Sequence, residues 1–400
     1  MDLNQTPLAN RIHIAFFGIR NAGKSSIMNA LTNQNISVVS AIKGTTTDPV
    51  HKTMELLPLG PVNIIDTAGL DDEGTLGNLR IEKTLQVLNK TNIALLVIDS
   101  TQGFTTFDQQ ILQKITEKNI PYLIIYNKID LVDEFSTKFT LNEHSIALSA
   151  LEKTGIESLK EKLAQLKPQA NEKFILKDII QAKDTVILVI PIDKAAPKGR
   201  LILPQQQVIR ELLDIGATAI MTQDDNLADT LANLKTKPKL VITDSQAFGK
   251  VNKILPKDIE LTSFSILFAR YKGNLTKQVQ AVKVLDTLQD NDNILIAEGC
   301  THHRQCGDIG TVKLPNWIKK HTLAKINFHF CSGTEFPQDL SMYKLIIHCG
   351  GCMLNAQEMQ YRLKKAHEEH IPMSNYGTTI AYLHGILNRS LHIFYNDFNK

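Results

Sequence analysis

Ile12-His13-Ile14-Ala15-Phe16-Phe17, followed at once by Gly18-Ile19-Arg20-Asn21-Ala22-Gly23-Lys24-Ser25, is the stretch on which the reading of this chain turns. The apolar run Ile12 to Phe17 predicts a strand, and Lys24 to Leu31 predicts a helix behind it. Between them stands the spacing G-x-x-x-x-G-K-S/T. Gly18 and Gly23 let the backbone bend closely enough for its N–H groups to surround phosphate oxygens. Lys24 supplies the cation for the β- and γ-phosphates, and the Ser25 hydroxyl is a ligand for Mg²⁺. The nucleotide-binding residues of this loop are then Gly18, Asn21, Ala22, Gly23, Lys24, Ser25 and Ser26.

Two later motifs, each after a predicted strand, complete the site. Asp66-Thr67-Ala68-Gly69 offers a carboxylate to the Mg²⁺ shell, through water, and the Gly69 N–H to the γ-phosphate. In Asn127-Lys128-Ile129-Asp130, the Asp130 carboxylate accepts from guanine N1–H and the exocyclic amine. Adenine lacks that donor pair, so the wrong base leaves a buried acceptor unpaired. Ser149-Ala150-Leu151 adds backbone contacts to guanine O6. Three motifs in this order read as a GTP site.

Outward from these motifs, short apolar runs at Val62 to Ile65, Ala94 to Ile98 and Tyr122 to Tyr126 alternate with helical stretches such as Ile111 to Lys118. That alternation predicts an α/β fold with a doubly wound, mostly parallel sheet. The polar stretch Lys167-Pro168-Gln169-Ala170-Asn171-Glu172 reads as a linker. A second alternation follows: Val186 to Ile190, a loop with Pro197 and Gly199, a helix from Pro204 to Leu213, and strands near Ala219 and Leu240. A third region begins near Ser265. The 400 residues, at roughly 150 per domain, fit domains at 1–168, 174–264 and 265–400.

Composition excludes other classes. Hydrophobic residues at 43% and charged residues at 21% exclude a disordered or collagen-like chain. The net charge of +3 is too small for an electrostatic nucleic-acid binder. No apolar run approaches the roughly 18 residues of a membrane span, and no basic segment precedes Ile12 to Ile19 as in a secretion signal. A soluble cytoplasmic protein is expected.

All five cysteines, Cys300, Cys306, Cys331, Cys349 and Cys352, lie in the last quarter of the chain. In a cytoplasmic protein such clustering points to metal or redox chemistry rather than a disulfide frame. Cys300-Thr301-His302 and, farther on, His348-Cys349-Gly350-Gly351-Cys352 supply three thiols and nitrogen or oxygen donors. That set suits Zn²⁺ or an iron–sulfur cluster, and spacing alone favours zinc.

The GTP motifs resemble the translation-factor-related GTPases, in the branch of tRNA-modification and ribosome-assembly enzymes. Gly44-Thr45-Thr46-Thr47-Asp48 resembles that branch's first switch, which implies Thr46, or next Thr45, as the hydroxyl completing the Mg²⁺ shell. Leu70 stands where Ras-like enzymes carry a water-orienting glutamine. Some members of the branch hold an activating K⁺ with an asparagine at the position of Asn21; the other reading of Asn21 is a residue that stabilises the loop turn. Lys24, Thr46, Gly69 and Asn21 are the catalytic candidates, and slow hydrolysis is expected either way.

The whole chain resembles the [FeFe]-hydrogenase maturation GTPases of the HydF type. The resemblance is carried by Cys-x-His, about 45 residues and His-Cys-x-x-Cys, together with Pro191 to Leu201, Leu203-Pro204-Gln205, Tyr343 to Asn355 and Pro372 to Gly377. It implies a P-loop GTPase domain, a middle α/β dimerisation domain and a C-terminal α/β domain. It also implies a [4Fe–4S] cluster on Cys300, Cys349 and Cys352, with His302, His348 or Glu298 as candidate fourth ligand. Cys306 and Cys331 fall outside the pattern as a packed or incidental thiol, with Cys306 close enough to Cys300 to be a spare ligand. His303 and His329 read as solvated or packing side chains, and the loop Lys194 to Arg200 has three basic residues that could meet an anion.

The activity implied by the resemblance is that of a GTP-hydrolysing scaffold or carrier and homodimer. Radical-SAM enzymes would load it with a diiron precursor bearing CO and cyanide, for delivery to apo-[FeFe]-hydrogenase. The rival reading is an RNA-associated GTPase with a structural zinc, against which stand the near-neutral charge and the lack of a basic G-x-x-G module. A weaker third is a GTP-regulated sensor of iron or redox state.

Overall fold

The computed structural model describes residues 6–32, 49–67, 75–133, 135–166, 173–192, 201–299, 308–333 and 335–398, with backbone alone at 75–81, 136, 137 and 396. The chain divides into two compact units, Met1–Asn171 and Glu172–Lys400.

The first unit is built on six strands: β1 (Ile12–Phe17), β2 (Val50–Leu56), β3 (Gly60–Asp66), β4 (Ile93–Asp99), β5 (Tyr122–Asn127) and β6 (Ser145–Ala147). Their order is β2-β3-β1-β4-β5-β6. All pairs are parallel except β2 with β3. Every residue of β4 is buried, as expected for a strand covered on both faces. One face packs Ile14, Phe16, Leu95 and Val97 against Ile27 and Leu31 of helix α1 (Lys24–Thr32); the other packs Ala15, Phe17, Leu96 and Ile98 against Ile111 and Ile115. The edge strand β2 alternates polar and apolar residues and remains largely exposed. Its Lys52 and Glu55 break the apolar run, which is why strand-spotting by hydrophobicity passes over it.

The second unit holds two four-stranded parallel sheets. The first, from β7 (Thr185–Val189), β8 (Thr218–Thr222), β9 (Leu240–Thr243) and β10 (Glu260–Ser263), has the order β10-β9-β7-β8. The second, from β11 (Asn293–Glu298), β12 (Asn327–Ser332), β13 (Leu345–His348) and β14 (Met373–Asn375), has the order β12-β11-β13-β14. The apolar Ile266-Leu267-Phe268 lies in the helix Phe264–Lys272, which opens with the Ser263 hydroxyl accepting from Ile266 N–H. One cluster of buried side chains runs from Val186, Val208 and Phe248 through Leu267 and Phe268 to Ile296, Ile347 and Phe394. The expected boundary at 264/265 therefore falls one residue into a helix whose apolar face belongs to the core shared by both sheets.

Phe268 is buried at that seam. Phe268→Ala is expected to cost this unit about 3–5 kcal/mol. Urea unfolding followed by fluorescence of Trp317, the single tryptophan, reads this unit directly.

Candidate functional site

The phosphate loop leaves β1 with Gly18 at φ +137°, where an added Cβ would lie 2.3 Å from Val97 O on β4. Gly23 sits at φ +95°, and a Cβ there would lie 2.1 Å from Asn127 Nδ2. Both glycines are thus required by close backbone approach as well as by φ. Asn21 occupies the left-handed region at φ +61°, a conformation asparagine tolerates. The Lys24 ammonium donates to Gly18 O at 2.9 Å and Ile19 O at 2.7 Å, which fixes it inside the loop.

Ser25 donates its hydroxyl to Asp66 Oδ2, so the two expected Mg²⁺-shell residues lie together. Burial raises the Asp66 carboxyl, against the pull of Ser25, Lys24 and Lys52, and its buried Oδ1 has no hydrogen-bond partner. An orphaned carboxylate oxygen beside a serine hydroxyl suits a hard divalent cation. Thr45, Thr46, Gly69 and Leu70 lie outside the described residues.

Asn127, 2% exposed, spans the site: its Nδ2 donates to Ala22 O at 2.8 Å and its Oδ1 accepts from Ala150 N–H at 3.1 Å. One amide thereby ties the phosphate loop to the loop after β6. There, Ser149 pairs its N–H with Thr154 O at 3.1 Å and accepts from Glu152 N–H at 3.1 Å. Lys128, at φ +65°, donates to Asp99 Oδ2 at 2.6 Å. Burial would raise Asp99, but hydrogen bonds from Lys128 and Thr101 hold it below the usual carboxylate range. Asp130 Oδ1 is buried without a partner, the orphan acceptor expected of a residue that reads guanine.

The cysteine loop follows β13. Cys349 donates its N–H to Ala297 O at 2.9 Å, and its Sγ accepts from Gly299 N–H at 3.1 Å and Gly351 N–H at 3.4 Å. Gly351, at φ +61°, makes the turn to Cys352. Burial pushes the Cys349 thiol up to about 11, against the two amides, and raises Cys352 against the pull of Lys272. Metal binding releases such protons. Among the described residues no three His, Cys, Asp or Glu side chains form a metal cluster; the third expected thiol, Cys300, lies outside them, as do His302, His303, Cys306 and 193–200. The chemistry of the described part nonetheless fits a cluster: two partly exposed thiols on one turn, with two amides aimed at the Cys349 sulfur.

The candidate fourth ligands separate by sheet face. Leu295, Ala297, Ile346 and Cys331 pack on one side, while Ile294, Ile296, Ile347 and Cys349 pack on the other. Cys331 is thus turned away from Cys349. His348 is buried with Nδ1 2.7 Å from Cys349 O and Nε2 2.9 Å from Arg362 Nη1. Burial, then Arg362, lowers it to about 3, so the neutral ring donates from Nδ1 and accepts at Nε2. Both nitrogens are spent, which argues against His348 as a ligand. Glu298 ends β11 on the Cys349 side, buried, and accepts from Tyr376 O–H at 3.2 Å. His329, on β12, packs edge-on against Tyr343.

Two groups escape sequence reasoning. Arg362, fully buried, donates to Glu358 at 2.9 Å and Gly333 O at 2.7 Å besides its contact with His348. The spacing Glu358 to Arg362 on one helix was the available signal. Lys272, 2% exposed, reaches the cysteine loop, and burial lowers it to about 8 against the pull of Cys352 and Cys349. No local pattern marks it.

Comparison with known families adds the decisive observation. Residues 175–273 match the hydrogen maturase F dimerization domain and 276–393 its tetramerization domain, together more than half the chain. The chain belongs to the hydrogen maturase F family. Residues 13–128 match the 50S ribosome-binding GTPase family, so a GTPase domain precedes the two maturase domains. The tRNA modification GTPase MnmE of Chromobacterium violaceum is 37% identical over 161 residues, 40% of this chain and 35% of that protein. MnmE of Thermotoga maritima is 35% identical over 165 residues, 39% and 36% of the two chains. The match thus spans about a third of those relatives, within the GTPase domain. Among solved structures, Aquifex aeolicus Era is 21% identical with a TM-score of 0.34, covering 53% of this chain and 92% of its own. The family is one of hydrogenase maturation GTPases, with domains for both dimer and tetramer formation. No helix among the described residues is long and apolar enough to cross a membrane.

Asp130→Asn is expected to weaken GTP by about 1–3 kcal/mol and to erase its preference over ATP, because the amide presents a donor where guanine also donates. Titration with fluorescent GTP and ATP analogues checks this; an unchanged preference removes Asp130 from the base site.

Proposed function

We propose that this hydrogenase maturation GTPase is a scaffold that binds a [4Fe–4S] cluster through Cys300, Cys349 and Cys352 and carries a diiron precursor to apo-[FeFe]-hydrogenase. The observation that carries the reading is the Cys349 sulfur, held at the end of β13 by two amide donors with Cys352 one turn on, within a maturase domain. When bound, the cluster supplies an iron whose non-thiolate ligand is exchangeable. The chain's own part is to hold three thiolates and one weaker donor. With His348 committed to Arg362 and Cys349 O, that donor is Glu298 or His302. The diiron unit, with its CO and cyanide, is cargo received from radical-SAM enzymes.

In the GTPase domain, Lys24 neutralises the β- and γ-phosphates. Ser25 and Thr46 hold Mg²⁺ directly and Asp66 holds it through water; Gly69 N–H senses the γ-phosphate, and Asp130 with Ser149 and Ala150 selects guanine. Leu70 contributes no water-orienting group, so turnover is slow, and Asn21 supports a K⁺ that stands in for an arginine finger. GTP switches partner contacts rather than making bonds in the cargo. The domains are 1–168 for GTP, 174–264 for subunit pairing and 265–400 for the cluster, in a protein of the reducing cytoplasm.

Cys349→Ser is expected to lose iron, sulfide and hydrogenase activation while keeping basal GTP hydrolysis. Lys24→Ala should keep the cluster and lose the nucleotide-dependent part of maturation. Both are read in an anaerobic assembly mixture with iron, sulfide and zinc measured on each variant. Full activation by cluster-free Cys349→Ser defeats the carrier reading, and stoichiometric zinc without iron favours an RNA-associated GTPase. Equal hydrolysis in K⁺ and Na⁺ removes the K⁺ role of Asn21 and nothing else.

A further inference from the structure

Lys272 ends the helix Phe264–Lys272 and is 2% exposed. Its Nζ donates to Gly351 O at 3.1 Å, Cys352 O at 3.2 Å and Leu354 O at 2.7 Å, three carbonyls of the single turn that carries Cys352. The ammonium also lies 5.6 Å from the centre of the Phe268 ring. All three protons of the ammonium are therefore satisfied by hydrogen bonds.

Its charge is not. Some buried or half-buried cations elsewhere have acidic partners, Arg362 with Glu358, Arg270 with Asp178 and Asp397, and Lys128 with Asp99, while Arg11, like Lys272, donates to backbone carbonyls. Lys272 forms no ion pair with a carboxylate among the described residues. Carbonyl dipoles solvate an ammonium, but a buried cation is retained cheaply only beside an opposite charge. The turn that its ammonium holds is the one that joins Cys349 to Cys352 and runs on to Leu354. An anion bound by Cys349 and Cys352 would pair with that charge.

We infer that Lys272 is a positioning residue for the cysteine loop and the counter-charge to an anionic cluster held there. This rests on the cluster reading above. A [4Fe–4S] centre bound by three thiolates is net negative, and each added electron increases that charge, so a fixed cation nearby stabilises the reduced form and raises the midpoint potential. The hydrogen bonds keep the turn closed around Cys352, and the charge biases the redox equilibrium. A turn-capping role alone would use the first property without the second.

The test uses full-length protein reconstituted anaerobically with iron and sulfide, as wild type, Lys272→Met, Lys272→Gln and Lys272→Arg. Iron and sulfide per chain are measured first, then the midpoint by redox titration followed by electron paramagnetic resonance. Circular dichroism and Trp317 fluorescence establish that each variant is folded. The expected result is a midpoint shifted to more negative potential in the Met and Gln variants, with the Arg variant close to wild type. Folded Met and Gln variants that lose iron while Arg retains it support the same role. A wild-type midpoint in a fully loaded Met or Gln variant overturns the inference, as does an Arg variant that behaves like Met. If Met fails to fold, Gln decides, since it keeps a donor and lacks the charge. Wild-type protein that takes up no iron or sulfide defeats the cluster reading itself, an outcome distinct from any difference among the variants.

Discussion

In a parallel sheet every strand ends at the same edge, and the loops leaving that edge bring together residues far apart in sequence. Both candidate sites use this constraint. In the first unit, the phosphate loop follows β1, Asp66 ends β3, Asn127 ends β5 and Ser149 follows β6. In the second, Glu298 ends β11 and Cys349 follows β13, with Ala297 paired in register to His348. Fully buried central strands such as β4 make each edge rigid enough for single hydrogen bonds to set loop positions.

Asn127 shows how little the loops need once the edge is fixed. One buried amide holds Ala22 and Ala150, and Gly23 exists partly to make room for it. The phosphate and base ends of the pocket are thus linked by a side chain that need not touch the reacting atoms. Asp99 and Lys128 play a similar part next to it, their ion pair fixing the lysine above the strand end.

Around the cysteine loop the same economy is achieved with charge. Arg362 crosses from its helix to His348 and Gly333, with Glu358 neutralising it, while Lys272 enters from the end of the helix Phe264–Lys272. The two cations differ in what they require. Arg362 is complete within the protein, and Lys272 is complete only in hydrogen bonding. That difference is invisible in composition, where both are simply basic residues.

The sequence by itself determined the local chemistry: glycine spacing, the Asp66 and Asn127-Lys128-Ile129-Asp130 motifs, the bounds of β1 and the concentration of thiols. Each is a short-range pattern, fixed by how few backbone shapes accommodate a phosphate loop or a tight turn. The alternation of β and α was legible because central parallel strands are apolar throughout, whereas β2 and the half-exposed edge strand β12 escaped for lack of that signal. Tertiary structure decided the rest. It put His348 and Cys349, neighbours in sequence, on opposite sheet faces, spent both nitrogens of that histidine, and joined two sheets in one core across residue 264. It also carried Lys272 to carbonyls 79 to 82 positions away. No window along the chain registers such a pairing, because the cost of burying a charge depends on everything packed around it.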